Sequence, residues 1–445
     1  MLIDLIPTLA VLVTASLFIG RHREKPVLQI YSLIVVSYLN IFPALDFYFS
    51  TDLATNGFTQ YQYIVVICFE LPMFYVASHA AKDENVTVRP MLHTRLDPYL
   101  PVVLLGVLIS FWYVSFRFDL FFRRLGHEGL LRNTAEVPGM LLYLYRAAVE
   151  TSFFVITFLG VTLRCTQVKC RYLLRYKLVL VGYLITFAVF FLVNSRMQFV
   201  LLLLCLLCTQ PTWARLLLRR LNLMRFGLLL ATLIVGLTVL RELYLEDNER
   251  VDGADLLELL PSIIWLITSR LDSMAVLYRL HEAGFDPFGF ELSGLFHVLN
   301  FYISFFIDPA AYEQVKSSLV TSPTVEIVNR LLSTNEVDFP KSMILDMFLS
   351  FGIAGLAVAA ILLGSLVGRI QRRLSNFRLF SLPFMLSLYS LPMFLEFEKE
   401  FIGLAFAFLK WTPMLALLYW LRPRGAVDAR QLPSSAAPAL PAVSM

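Results

Sequence analysis

The chain has 445 residues, of which 58% are hydrophobic, 14% aromatic and only 16% charged. A soluble domain carries about 25% charge, so a soluble enzyme, a disordered chain and a disulfide-stapled secreted domain are excluded, and an all-α, multi-pass membrane protein is indicated. The net charge of +4 is small; the placement of the charges carries the information.

A segment inside the hydrocarbon core must satisfy its own backbone hydrogen bonds, which favours helices, and about twenty apolar residues cross it. Hydropathy predicts spans near 2–20, 27–45, 61–81, 98–116, 137–163, 178–193, 197–213, 226–240, 343–368, 379–395 and 401–421, about eleven in all. Asp4 stands where a signal peptide would be basic, and no small-residue cleavage site follows, so no cleavable signal is expected. Asn194-Ser195-Arg196 joins two short apolar arms. The expected organisation is helices over 1–240, a large outer segment over 241–342, and helices over 343–421. The tail over 422–445 is rich in Ala, Pro and Ser from Pro423 and is expected to be disordered.

Lys and Arg collect in alternate loops, which sets orientation. Arg21, Arg23 and Lys25 form one group; Arg164, Lys169, Arg171, Arg175 and Lys177 another; Arg215, Arg219, Arg220 and Arg225 a third; Arg369, Arg372, Arg373 and Arg378 a fourth; Arg422 and Arg424 a fifth. These loops are expected on the cytoplasmic side. Segment 241–342 holds seven basic and sixteen acidic residues, a net of −9, and is expected outside. The N-terminus is then external and the C-terminus cytoplasmic. Within the outer segment, Leu256, Leu259, Leu260, Ile263, Ile267, Met274, Leu277 and Tyr278 follow helical spacing over 256–282, with Gly284 and Pro287 as stop signals. Phe296, Phe301, Tyr302, Phe305 and Phe306 form a stretch too short to span, which fits an interfacial or re-entrant element. The outer segment is therefore expected to lie against the membrane and cover a cavity.

No phosphate-binding Gly-rich loop, HExxH or GxSxG is present. The six histidines are scattered, and no metal or other cofactor is expected. Cys205 and Cys208 form a CxxC embedded in Leu, which fits apolar filler better than a redox pair. Glu70, Arg146, Glu150 and Lys410 fall inside predicted spans, and Asp346 falls just inside another. A charge near a span's centre costs roughly 2.5–3.5 kcal/mol, so such residues face a polar cavity or pair. Structural pairing and function weigh equally for Glu70 and Lys410. Arg146 and Glu150 are four residues apart on one helix and can pair locally; their position nearer the outer face favours function. Arg117, Arg123, Arg124, Arg132, Arg196, Arg241, Arg270, Arg279 and Arg330 fall on the outer side, against the general trend. Taken singly, an outer arginine is usually a snorkelling surface residue. Arg196, in a very short hairpin, and Arg270 stand apart, because a guanidinium fork grips phosphate in bidentate fashion. Gly352 and Gly355 fit close helix packing.

Asn194-Ser195-Arg196 opening an apolar helix, Thr268-Ser269-Arg270-Leu271-Asp272 followed by Arg279 and Gly284, and Phe339-Pro340-Lys341-Ser342 with Asp346 and Phe351-Gly352-Ile353-Ala354-Gly355 carry a resemblance. The chain resembles the Wzy-type oligosaccharide repeat-unit polymerases of O-antigen and exopolysaccharide biosynthesis, over roughly its second half. It departs from some relatives in the last outer hairpin, Glu396-Phe397-Glu398-Lys399-Glu400, where they carry an arginine. The resemblance implies a GT-C-like glycosyltransferase in a bacterial inner membrane, acting at its periplasmic face. The growing glycan would pass from undecaprenyl pyrophosphate to a new lipid-linked repeat unit. Arg196, Arg270 and, as base, Asp346 would be catalytic; Arg146, Glu150, Arg241, Arg279, Arg330 and Lys341 would bind substrate. A chain-length regulator and a flippase in the same membrane are the implied protein partners, with no nucleic acid. An O-antigen ligase or another polyprenyl-linked glycosyltransferase is the nearest alternative, although a ligase's characteristic histidine motif is not evident. A polysaccharide flippase or transporter is the alternative from another class; such folds tend to repeat internally, and no repeat is visible.

Overall fold

The computed structural model describes residues 9, 12–14, 17–18, 25–43, 62–82, 97–118, 141, 144–145, 147–148, 151–165, 172–194, 197–209, 273–284, 286, 328–330, 343–375, 381–395, 408–409 and 411–422. Among these residues every regular element is helical and there is no strand. In chain order the elements are α1 (Pro26–Ile41), α2 (Gln62–Ala80), α3 (Tyr99–Arg117), α4 (Ser152–Cys165), α5 (Leu173–Asn194), α6 (Met197–Thr209), α7 (Ser273–Glu282), α8 (Met343–Ser375), α9 (Leu382–Leu395) and α10 (Thr412–Trp420). Three of the described helices are long and apolar enough to cross a membrane: α2, α3 and Ile344–Leu374 of α8.

Burial separates two apolar faces on these helices. On α2, Val66, Phe69, Met73 and Ala77 are buried, while Tyr63, Ile67, Leu71 and Tyr75 are exposed. On α3, Leu100, Leu104, Val107, Phe111 and Val114 are buried, while Tyr99, Val102, Leu105, Ile109, Tyr113 and Phe116 are exposed. In water one of these faces would be polar. Here both are apolar, as expected where the surrounding solvent is itself hydrocarbon. α1 differs: from Pro26 to Val36 only Leu33 escapes burial, so it is enclosed on all sides. Pro26 sits in its first turn, where a missing N–H costs nothing.

Among the described helices, the main seam joins α8 to α2. A Cβ built on Gly364 would stand 2.7 Å from the Met73 carbonyl oxygen, and one on Gly368 would stand 2.6 Å from that of Ala77. These two glycines, four apart, let the backbones meet directly. Because the partners advance together, α2 and α8 run parallel. The close-packing role expected of Gly352 and Gly355 is corrected accordingly. Gly352 has φ 58 and ψ −146, a conformation open to glycine alone, and breaks α8 there. A Cβ on Gly355 would collide with the carbonyl of Met347 in the same helix. Both residues thus serve the break in α8 itself.

α1 runs against this pair. Lys25 Nζ donates to the Ala81 carbonyl at 2.5 Å, and the Val27 N–H donates to Gln371 Oε1 at 2.8 Å. Lys25, Ala81 and Gln371 therefore mark one end of the bundle, and Asn40 and Gln62 lie toward the other. A second group forms around α3, α4 and α5. Trp112 Nε1 donates to Thr186 Oγ1 at 3.0 Å, and the Tyr176 hydroxyl donates to the Asp97 carbonyl at 2.9 Å, so α3 and α5 also run parallel. Phe154 of α4 meets Tyr389 of α9 edge-on at 5.2 Å. α9 also packs on α6 and α8, and α6 on α1, which ties the two groups into one core. At the end of α10, the Arg422 guanidinium lies 3.7 Å over the Tyr419 ring, a cation–π contact suited to a helix end.

Candidate functional site

The most polar place in the described core lies between α1 and α2. Gln62 Nε2 donates to Asn40 Oδ1 at 3.4 Å, and Asn40 Nδ2 donates to Glu70 Oε1 at 2.6 Å. All three side chains are buried. The local cause can be read from the chain. Ser37–Ile41 and Val66–Glu70 are π-helical turns, closed by the Phe42 N–H on the Ser37 carbonyl and the Leu71 N–H on the Val66 carbonyl. Each ends two residues before a proline, Pro43 and Pro72. Proline lacks an N–H and its ring crowds the carbonyl four residues back. Widening the preceding turn accommodates both effects. A π turn inserts one residue and swings the side chains after it around the axis, and such turns are common at functional sites. Asn40 and Glu70 each lie within one, and there they face one another.

Asp346 lies in the first turn of α8 and is 4% exposed. A carboxylate is favoured at that helix end by the backbone dipoles. Ser350, one turn on, is also buried, and the break at Gly352 follows. Counted back from the Gly364–Met73 contact, Ile361 lies level with Glu70. The break at Gly352 folds the first turns of α8 back and brings the Met347 carbonyl beside Gly355, so Asp346 lies nearer the level of Gly355, on the side away from Gln371. α7 packs against Ser37–Ile41 of α1. It buries Val276, Leu277 and Leu280 and turns Arg279 to the exterior. Ala283 N–H closes its last turn on the Arg279 carbonyl, and Gly284 at φ 83 ends it, as its stop signal predicts. Arg330 is also exposed.

Asp346 and α7 with Arg279 therefore belong to the Asn40 end of the bundle. Glu70 is not brought to a basic partner: among the described residues Asn40 alone hydrogen-bonds it. Arg196, Arg270, Arg146, Glu150, Arg241, Lys341 and Lys410 lie outside the described residues. Cys205 and Cys208 are buried in α6, consistent with apolar filler. Asn40 and Gln62 were not singled out by sequence reasoning. The repeated proline two residues beyond each π turn was the available signal.

No protein-family model, no curated protein and no solved structure matches the chain.

Proposed function

We propose that the protein is an eleven-span, GT-C-like polymerase of lipid-linked oligosaccharide repeat units in a bacterial inner membrane. The observation that carries this reading is the difference between the two ends of the bundle. Lys25 and Gln371, flanked by Lys82, Arg372 and Arg373, mark one end. At the other, α7 from the acidic segment 241–342 lies on α1, and the buried Asp346 opens α8. A basic end set against an acidic covering segment is the asymmetry expected of an enzyme working on the outer face.

In this scheme an acceptor sugar hydroxyl attacks the anomeric carbon of the glycan on undecaprenyl pyrophosphate. The new glycosidic C–O bond forms as the C–O bond to pyrophosphate breaks. The hydroxyl proton passes to a base, for which Asp346 is the candidate, and lipid pyrophosphate departs. Arg196 and Arg270 meet the negative charge that develops on the leaving group. Arg146, Glu150, Arg241, Arg279, Arg330 and Lys341 hold the two lipid-linked glycans. The test uses null cells complemented at matched expression. Arg196→Lys and Arg270→Lys keep charge but lose the bidentate fork, so each should cut polymerisation about a hundredfold, as loss of one transition-state donor does. A full-length polysaccharide ladder with both Arg→Lys changes combined would overturn the reading. Single repeat units should accumulate on the outer face; trapping on the inner face would instead mark a flippase.

A further inference from the structure

Glu70 is an ionisable group that the glycosyl-transfer scheme leaves unused. Its side chain is 0% exposed, within a helix long and apolar enough to cross a membrane. Oε1 accepts the Asn40 amide, while Oε2 is buried with no hydrogen-bond partner. Asn40 is held in one orientation, because its Oδ1 already accepts Gln62 Nε2. It therefore presents N–H hydrogens, and not its oxygen, to the carboxyl. The titratable or charged groups described on the packed elements include Tyr31 and Tyr38 on α1, Tyr63, Cys68, Tyr75 and His79 on α2, Tyr278 and Arg279 on α7, and Asp346, Arg369, Arg372 and Arg373 on α8. None of them hydrogen-bonds or ion-pairs with Glu70.

We propose that Glu70 Oε2 is a proton-binding site, a carboxyl inside the membrane that takes up and releases one proton while Asn40 holds its other oxygen. A bare carboxylate at such a position costs several kcal/mol, and an intramembrane ionisable residue usually marks a relay or coupling site. The choice of ligand follows from the donor set. A hard metal ion requires oxygens on several sides. Here one oxygen is open and the neighbouring amide offers hydrogens. A proton needs one oxygen only. The surroundings also give the proton something to act on. Ionisation makes the Asn40–Glu70 hydrogen bond charge-assisted, roughly twice as strong as its neutral form. That hydrogen bond joins the π turn of α1 to the π turn of α2, so proton uptake loosens the joint between the two helices. The site stands whether or not the protein transfers glycans.

The experiment uses the purified full-length protein in liposomes. Dicyclohexylcarbodiimide adds to protonated carboxyls in apolar surroundings, and peptide mass spectrometry locates the adduct. Modification at Glu70 is expected in acidic buffer, falling about tenfold per pH unit once the site has lost its proton. Infrared spectroscopy of the same samples reads the protonated-acid carbonyl band, which should vanish in alkaline buffer and be missing from Glu70→Gln. The band decides the matter if the reagent fails to reach the site. A Glu70-dependent band unchanged across the pH range, or no such band at any pH, overturns the proposal. Protection from the reagent by sodium chloride but not choline chloride, at fixed pH, also overturns it and assigns the site to sodium.

Discussion

The glycine seam between α8 and α2 makes a prediction whose sign depends on geometry. Replacing a glycine inside a helix by alanine stabilises by about 0.5–1 kcal/mol when the methyl has room. At Gly368 it has none: the new Cβ would stand 2.6 Å from both the Ala77 carbonyl oxygen and the Ala80 Cβ. Carbon contacts are most favourable at roughly 3.5–4.0 Å, so the helices must part by about 1 Å. Overpacking of this kind costs about 1–3 kcal/mol, which exceeds the propensity gain. Gly368→Ala and Gly364→Ala should each destabilise by about 1–2 kcal/mol, and the double variant by less than the sum, because one separation relieves both clashes. Gly106 on the exposed face of α3 has nothing within 4 Å, so Gly106→Ala should stabilise. Gly182 meets only the tip of Leu108 at 3.0 Å, a side chain that can rotate away, so its alanine variant should be near neutral. Thermal unfolding of the full-length protein in one detergent ranks the four variants. A Gly368→Ala protein as stable as Gly106→Ala would refute the reasoning.

Gly352→Ala forces a Cβ into a glycine-only conformation and should cost about 1–3 kcal/mol, seen as a lower melting temperature than that of Ser350→Ala. Trp112→Phe and Thr186→Val remove the two sides of one hydrogen bond; a double-mutant cycle should return about 0.5–1.5 kcal/mol of coupling, and a value of zero would show that the pair does not interact. Reporter fusions at 170, 220 and 374 should read cytoplasmic, and those at 55, 290 and 398 external; an external signal at 220 would place Arg196 on the wrong side for the proposed chemistry.

Hydropathy located the helices closely where the signal was lipid burial. Span 98–116 became Tyr99–Arg117, and 61–81 became Gln62–Ala80. One helix ends at Asn194 and another starts at Met197, while the turn expected at Ser195-Arg196 lies outside the described residues. Span 343–368 fell short: α8 continues to Ser375. Hydropathy stops at Arg369, but Arg372 and Arg373 favour a helix C-terminus through its dipole. Span 137–163 is continuous helix only from Ser152 to Cys165 among the described residues. The helix expected over 256–282 is described from Ser273 onward. The seam was misplaced at Gly352 and Gly355 because glycines near a span's start look alike in composition, whether they break the backbone or admit a neighbour. The Gly364–Gly368 spacing was the better clue. The Asn40–Glu70 pairing could not be read from hydropathy, which carries no register. It depends on two π turns that rotate side chains, and Pro43 and Pro72 signal those only once a turn-widening role is considered.

The α8–α2 seam also sets a timetable for biosynthesis. Met73 and Gly364 are 291 positions apart in the chain. At about 5–20 residues per second, roughly 15–60 s separate the emergence of α2 from that of its partner. Throughout that interval Met73, Ala77 and the Glu70 carboxyl lack the helix that covers them. α1 emerges first, and Asn40 is the partner available to Glu70 from the outset. The early pairing of α1 with α2 shelters the carboxyl until α8, in the last quarter of the protein, has been made. A ribosome stalled before residue 343 leaves a nascent chain whose half-closed groove faces lipid or the insertion machinery, which makes this stage the one at which quality control would first detect a damaged α1.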